Sequence, residues 1–256
     1  MGLFSKKKTE KVSVENFPPI GSLMVSKMIT EEHKKPMFIY REKRSRPEDS
    51  GWRVFSGFES EGYNDDPNNI GIYSPLAILK IDSSIAELLL KGGVGSAFER
   101  ESDKSPWYKV TDFPLEGDYM VKHRLTEAWE LEINNLFERT MEEGGDLFYT
   151  TGDKSLRLTI WNYKNKTGSE IYEEHKSTIA SRDEAMAKIL KFFYFSDDGV
   201  YRVGYMIRES DENREYNVIY GYSIIDDQVV LSVLYFDEDE DLAWAVDTWR
   251  GIKLTE

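Results

Sequence analysis

The chain has 256 residues, 40% of them hydrophobic and 13% aromatic, with no cysteine and a formal charge of −14, the profile of a globular protein of one large or two ordinary domains. The lack of cysteine excludes disulfides, thiolate metal sites and a thiol nucleophile, and it fits a reducing, cytoplasmic setting. No apolar run reaches the roughly 18 residues of a membrane span, and the start Met1-Gly-Leu-Phe-Ser-Lys-Lys-Lys8 has no apolar segment behind its lysines, so neither a spanning helix nor a secretory signal is expected. Lys6 stands where an N-myristoylation pattern needs Ser or Thr.

Residues 1–19 are polar, lysine-bearing and end in Phe17-Pro18-Pro19, which reads as a loose leader before the first strand. Residues 22–29 and 36–41 are predicted as two strands of a hairpin across the polar turn 31–35, and 52–56 as a third strand. The turn-rich 64–71 leads to a short helix opened by Pro75 and a second helix over 84–91, stopped by Gly92-Gly93. Strands near 96–99 and 107–110 complete a first sheet. The stretch 111–118 has turn chemistry, and a domain boundary is placed near Phe113, giving domains 21–113 and 114–256. In the second domain a strand is predicted over 119–125, a helix over 127–141 from the spacing of Trp129, Ile133, Leu136 and Phe137, a strand over 156–163 and an amphipathic helix over 183–193. Alternating stretches 199–207, 216–225 and 229–236, with turns at Glu212-Asn213 and Asp226-Asp227, predict an antiparallel meander feeding a helix over 238–249. The fold class is therefore α+β, with two domains, each a mainly antiparallel sheet with a few packed helices.

Charge separates the two parts. Residues 1–114 carry 17 basic and 17 acidic side chains, whereas 115–256 carry 16 and 30. An acidic surface repels phosphate backbones and speeds encounter with basic partners, so a nucleic-acid partner is not expected.

Three ordered motifs in the first domain, Ser50-Gly-Trp-Arg-Val-Phe-Ser-Gly57, Asn64-Asp-Asp-Pro-Asn-Asn-Ile-Gly-Ile-Tyr73 and Val94-Gly-Ser-Ala-Phe-Glu-Arg100, resemble the bacterial immunity protein family thirty-three across residues 21–112. The resemblance implies toxin neutralisation in a polymorphic toxin system and no catalytic activity. The motif positions Gly51, Trp52, Arg53, Gly57, Asp66, Pro67, Asn69, Gly71, Gly95, Phe98, Glu99 and Arg100 read as architecture: large core residues, turn glycines, a side-chain-capped turn at 65–69 and an ion-pair network of Arg53, Glu99 and Arg100. Calcium is the rival for 65–69, although the spacing lacks the twelve-residue loop that would favour it. The element order of the second domain is similar to the back half of the Mog1/PsbP-like fold.

No signature of catalysis is present. His33, His123 and His175 are isolated from one another, no phosphate-binding loop or nucleophile elbow occurs, and Glu142-Glu143 and Glu173-Glu174 read as solvated helix faces. No cofactor and no metal site are expected. The partner-binding candidates are the run Asp237, Glu238, Asp239, Glu240 and Asp241 beside Trp244 and Trp249, then Asp226 and Asp227. Alternation places Tyr216, Tyr220 and Tyr222 with Val218 and Ile224 on a face expected to be buried. The expectation is a cytoplasmic, non-enzymatic immunity protein occluding a toxin with a basic surface. The alternatives are a regulatory or housekeeping module binding a small ligand or host protein, and a metal-dependent hydrolase.

Overall fold

In the computed structural model, which describes residues 14–185, 187–197, 199–211 and 214–255, the chain divides into two units, Met1–Glu116 and Gly117–Glu256. The first is a six-stranded sheet with helices on one face. Its elements are β1 (Ser22–Ser26), α1 (Lys27–Thr30), β2 (Phe38–Arg41), β3 (Asp49–Phe55), β4 (Ile70–Tyr73), α2 (Pro75–Ile81), α3 (Ala86–Lys91), β5 (Ala97–Glu99) and β6 (Tyr108–Val110), with strand order β4-β1-β3-β2-β5-β6. Alternation along the strands sends Leu23, Val25, Ile39, Trp52 and Val54 to one side, where Ile78, Leu79, Ile85 and Leu89 of the helical segments close over them. The helices begin as their residues dictate: Ser74 caps α2 through the Ala77 amide with Pro75 in the first turn, and Gly92 ends α3.

Two expectations fail here. Residues 22–29 and 36–41 do not form a hairpin, because β3 lies between β1 and β2 and pairs parallel with β1. The apolar run of β1 stops at Ser26, whose hydroxyl accepts the Met28 amide and turns the chain into α1. The expected leader lies outside the described residues up to 13. Beyond that point it is part of the fold, since Val14–Asn16 form a helical turn and Phe17 is buried in the core.

The second unit is layered. Its elements are β7 (Met120–Arg124), β8 (Trp129–Asn134), β9 (Glu138–Met141), β10 (Leu147–Thr150), β11 (Ser155–Asn162), α4 (Gly168–Ala180), β12 (Ile189–Asp197), β13 (Val200–Ser210), β14 (Glu215–Ile225), β15 (Gln228–Phe236), α5 (Leu242–Arg250) and β16 (Ile252–Leu254). A seven-stranded sheet of order β12-β13-β14-β15-β11-β10-β9 carries α4 on one face; α5 and the small sheet β16-β8-β7 pack on the other. The alternation of β15 divides the two cores, with Val230, Leu234 and Phe236 in one and Val229 and Val233 in the other. Trp249 of α5 is fully buried, donates to Ser223 Oγ at 3.0 Å, and lies over Gly204 and Gly221, where any side chain would collide with its ring.

The helix expected over 127–141 is two strands, β8 and β9. Trp129, Leu131 and Ile133 are all buried at a spacing of two, which satisfies a strand as fully as the wider spacing satisfied a helix. Where a helix is expected over 183–193, the described residues before 189 are not helical and those from 189 onward belong to β12, while the helix of this region, α4, precedes them. The meander is present as β13, β14 and β15; the expected turn at Glu212-Asn213 lies outside the described residues. Val218 and Ile224 are buried as expected, but Tyr216, Tyr220 and Tyr222 on the same face are only half-buried.

Candidate functional site

The motif residues of the first unit frame its sheet from both sides. Trp52 and Phe98 point toward the helices, and the Trp52 indole donates to the Leu89 carbonyl at 3.1 Å. Gly51 has φ +81°, and a β-carbon there would stand 2.2 Å from the Glu42 carbonyl oxygen, so no other residue fits. Gly57 and Gly95 also have positive φ, while Gly71 lies against the Tyr73 ring. In the 65–69 turn, Asp66 Oδ1 accepts both the backbone amide and the side-chain amide of Asn68 at 2.9 Å, Pro67 opens the helical turn, and Asn69 donates to the Tyr63 carbonyl. The loop is a side-chain-capped turn.

The expected single network of Arg53, Glu99 and Arg100 resolves into separate arrangements on opposite faces of the sheet. Arg53, 5% exposed, grips Asp49 through both terminal nitrogens at 2.7 and 2.9 Å, and Nε donates to Glu42 at 2.7 Å. Burial alone would raise the Asp49 pKa, but the hydrogen bonds from Arg53 and from the Gly51 amide, with the Arg53 charge, hold it below the usual carboxylate value. Arg100, also 5% exposed, turns to the helical side, where it binds Asp82, the Pro36 carbonyl and Ser84 Oγ and lies 4.6 Å from the Trp107 ring centre. Glu99 joins neither; its carboxylate accepts from Tyr108 and pushes that hydroxyl's pKa up. The carboxylate partners Glu42, Asp49 and Asp82 were missed in the sequence because nothing in their spacing marks them.

On the helix-free face the strand registers align Ile72, Met24, Arg53, Tyr40, Ala97 and Val110 in one row, with Phe55, Phe38, Glu99 and Tyr108 beside it. Phe113 packs on Phe38 and Tyr40 at 5.0 and 4.8 Å between centroids. This face is apolar and aromatic around one neutralised arginine.

In the second unit the acidic run leaves β15 at one end of the sheet and borders a shallow open cavity of about 480 Å³, lined by Arg208, Glu215, Asp237, Glu238, Asp239 and Glu240. Alternate members are tied to the fold. Asp237 pairs with Arg214 at 3.0 Å, Asp239 with Arg208 at 2.8 Å and with Asn217 Nδ2 at 3.0 Å, and Asp241 with Lys154 at 2.6 Å. Glu238, Glu240 and Glu215 have no partner among the described residues. The run therefore begins a helix, with Asp239–Asp241 forming its first turn, and presents fewer free charges than its composition suggests. Trp244 stacks on Phe137 at 5.7 Å and Trp249 is core, so neither indole flanks the acids as a free contact residue. Asp226 and Asp227 form the β14–β15 turn at the far end of the same hairpin, roughly 30 Å away by strand rise. Asp226 has φ +47° and packs against Gly168 at the start of α4, and the Asp227 carbonyl accepts the Tyr163 amide. The two acidic sets do not form one surface.

Among the described residues no set of three or more His, Asp or Glu side chains is gathered to hold a metal, and no helix is long and apolar enough to cross a membrane. Glu142 pairs with Arg157 at 2.9 Å at the end of β9, not on a helix. His175 stacks on Tyr222 at 4.1 Å and approaches Tyr163 Oη at 3.2 Å; burial lowers its pKa.

Residues 23–111 match the family model described as the Immunity protein Imm33 domain. No curated protein matches the chain by sequence. Among solved structures it is similar to cyanobacterial PsbP (CyanoP) from Synechocystis sp. PCC 6803, with 11% identity, 54% of this chain and 94% of that chain covered, and a TM-score of 0.41. It is also similar to a protein from Bacteroides thetaiotaomicron VPI-5482, with 9% identity, 50% and 45% covered, and a TM-score of 0.38.

Proposed function

We propose, from the match of residues 23–111 to the immunity protein domain, that this chain is an immunity protein of a polymorphic toxin system, which neutralises a cognate toxin in the cytoplasm by binding it. The domain match is the observation that carries the reading. Neutralisation is by occlusion: no bond is made or broken, and the chain covers the toxin's working surface. A toxin that acts on an anionic substrate has a basic cleft, and the carboxylates Glu215, Glu238 and Glu240 are the groups free to enter one. Asp237, Asp239 and Asp241 hold those three in place through Arg214, Arg208 and Lys154, and they contribute to the long-range field that speeds encounter.

The test starts from the immobilised chain, over which lysate of its native host is passed at low salt and eluted by a salt step. Each retained protein is then expressed alone and with the chain. The expected result is one basic protein that arrests growth alone and is harmless when the chain is co-expressed. If every retained protein is harmless alone, or growth arrest persists with the chain present, the reading fails.

A further inference from the structure

The seven-stranded sheet of the second unit ends in two unlike edges. β9 is four residues long and carries Glu138 and Arg139, the short charged form that keeps an edge unpaired. β12 is nine residues long, with Leu190, Phe192 and Tyr194 exposed by 53, 43 and 47%, and Tyr201 of the adjoining strand by 40%. These are four of the seven large hydrophobic side chains exposed in the unit among the described residues. Phe192 and Tyr194 stack 6.2 Å apart on one side of the strand. A long aromatic edge with open backbone groups templates strand pairing, and between Ile189 and Ser196 a single charge, Lys191, interrupts it.

The backbone polarity of this edge follows from the hairpin. Asp197 faces Val200, three positions on in the sequence, at the closed end of the hairpin, so Lys191, Phe193, Phe195 and Asp197 direct their N–H and C=O groups to β13, and Phe192, Tyr194 and Ser196 direct theirs outward. We propose that a second copy of this chain occupies the edge, its β12 pairing antiparallel with this β12 about a two-fold axis at Tyr194. In that register Tyr194 faces its own copy, Phe192 faces Ser196 of the second copy, and about six backbone hydrogen bonds close the seam.

Charge and size select the occupant and the register together. Lys191 has no carboxylate partner among the described residues; in this pairing it faces Asp197 of the second copy, whose side chain is 30% exposed beside Arg202 and Arg250. Both such pairs form by symmetry. Shifting the axis to Phe193 would set Lys191 against Phe195 and leave the charge unmatched. Ser196 is paired with Tyr201, and its small side chain leaves room for the Phe192 ring of the second copy to pack beside that tyrosine. On the opposite side of the strand Phe193 and Phe195 meet across the seam, extending the aromatic layer they make with Trp249. The result is an isologous dimer with one continuous sheet.

The test measures the mass of the full chain by light scattering and sedimentation over a concentration series, with two variants. The expected result is twice the mass of one chain, and a shift of at least tenfold toward monomer in Tyr194→Lys, which sets two ammonium groups against each other at an exposed position. Tyr194→Cys introduces the only cysteine of the chain, and oxidation or a short bis-thiol linker should then join two copies through residue 194. A monomer at all concentrations overturns the proposal, as does a dimer that survives Tyr194→Lys and fails to link through Cys at 194. A monomer in which Tyr194→Lys abolishes retention of a partner protein also overturns it, assigning the edge to that partner's strand.

Discussion

The α-carbon of Gly221 lies directly against the indole of Trp249: a β-carbon there would stand 2.5 Å from Cε2, and one at Gly204 would stand 2.8 Å from Cη2 of the same ring. Trp249 is fully buried and anchors α5 to the large sheet. Gly221→Ala is therefore expected to lower stability by about 2 kcal/mol or more, because neither the backbone of β14 nor a buried indole can yield without loss elsewhere. Gly144→Ala, which meets nothing within 4 Å, should stay within about 0.5 kcal/mol. Urea denaturation of the two variants measures the difference; equal midpoints would show that the ring is not held where it lies.

Arg53 and Asp49 form a two-pronged pair whose side chains are 7% and 14% exposed. Asp49→Asn leaves the buried guanidinium with Glu42 as its one carboxylate and should cost about 3 kcal/mol. The pH dependence has a definite sign. Asp49 is held below its ordinary pKa in the folded chain, as is Asp82 beside Ser84 and Arg100, so the unfolded chain takes up protons first as pH falls. The stability they contribute is complete above the unfolded carboxylate value of about 4 and is lost as pH drops through their lower folded values. Denaturation curves from pH 5 to 2 should be less steeply pH-dependent in Asp49→Asn than in the parent.

Much of the strand framework is readable from alternation, and the failures have identifiable causes. Residues 199–207, 216–225 and 229–236 alternate without competition from a helical period, and they are β13, β14 and β15. In 127–141 the apolar residues fit both periods, and the decision rests on which of them are buried together, a tertiary fact: Trp129 reaches across to Gln228 at 3.1 Å and packs in the core of the large sheet. The helix α4 escaped notice because it buries few apolar side chains, chiefly Ile171 and Ile179, so its apolar stripe is thin. Its available signal was the Thr167-x-x-Glu170 capping box, in which each side chain satisfies the other's backbone amide. At the candidate site the run 237–241 is plain in the sequence; the cations that neutralise alternate members come from the turn between β10 and β11, from β13 and from the segment before β14, and only folding brings them there.

His175 supplies a second pH-dependent term, of the same sign and at a higher pH. It is wedged between Tyr222 and Tyr163, and burial lowers its pKa more than the neighbouring Glu174 raises it, with Lys166 adding to the depression. The unfolded histidine takes up a proton near pH 6.5 while the folded one resists, so stability declines as pH falls below that value, by at most about 1.4 kcal/mol per pH unit. His175→Phe keeps the ring stacking and removes the proton. Its stability should be flat between pH 7 and 5 where the parent declines, and a parent profile equally flat would contradict the burial of this imidazole.

The division of the acidic run into tied and free members predicts that its residues behave differently on substitution. Glu238→Gln with Glu240→Gln removes two unpaired carboxylates and should leave the unfolding midpoint unchanged. Asp237→Asn with Asp239→Asn breaks pairs to Arg214 and Arg208 that are largely exposed, which costs about 1 kcal/mol or less. For binding to the proposed toxin both pairs matter, and they differ in which rate constant they change. The first pair of changes should slow association several-fold at low salt, with the effect shrinking as salt is added, because free charges act on encounter across a screening length of about 10 Å at 0.1 M. The second pair removes two negative charges but frees two guanidinium groups, so it alters the local field by the same formal amount and also loosens the scaffold holding Glu238 and Glu240. Its association rate should fall at least as far, and its dissociation rate should rise as well. Stopped-flow association and dissociation at two salt concentrations separate these outcomes, and association rates unchanged in both variants would remove the carboxylate run from the docking surface.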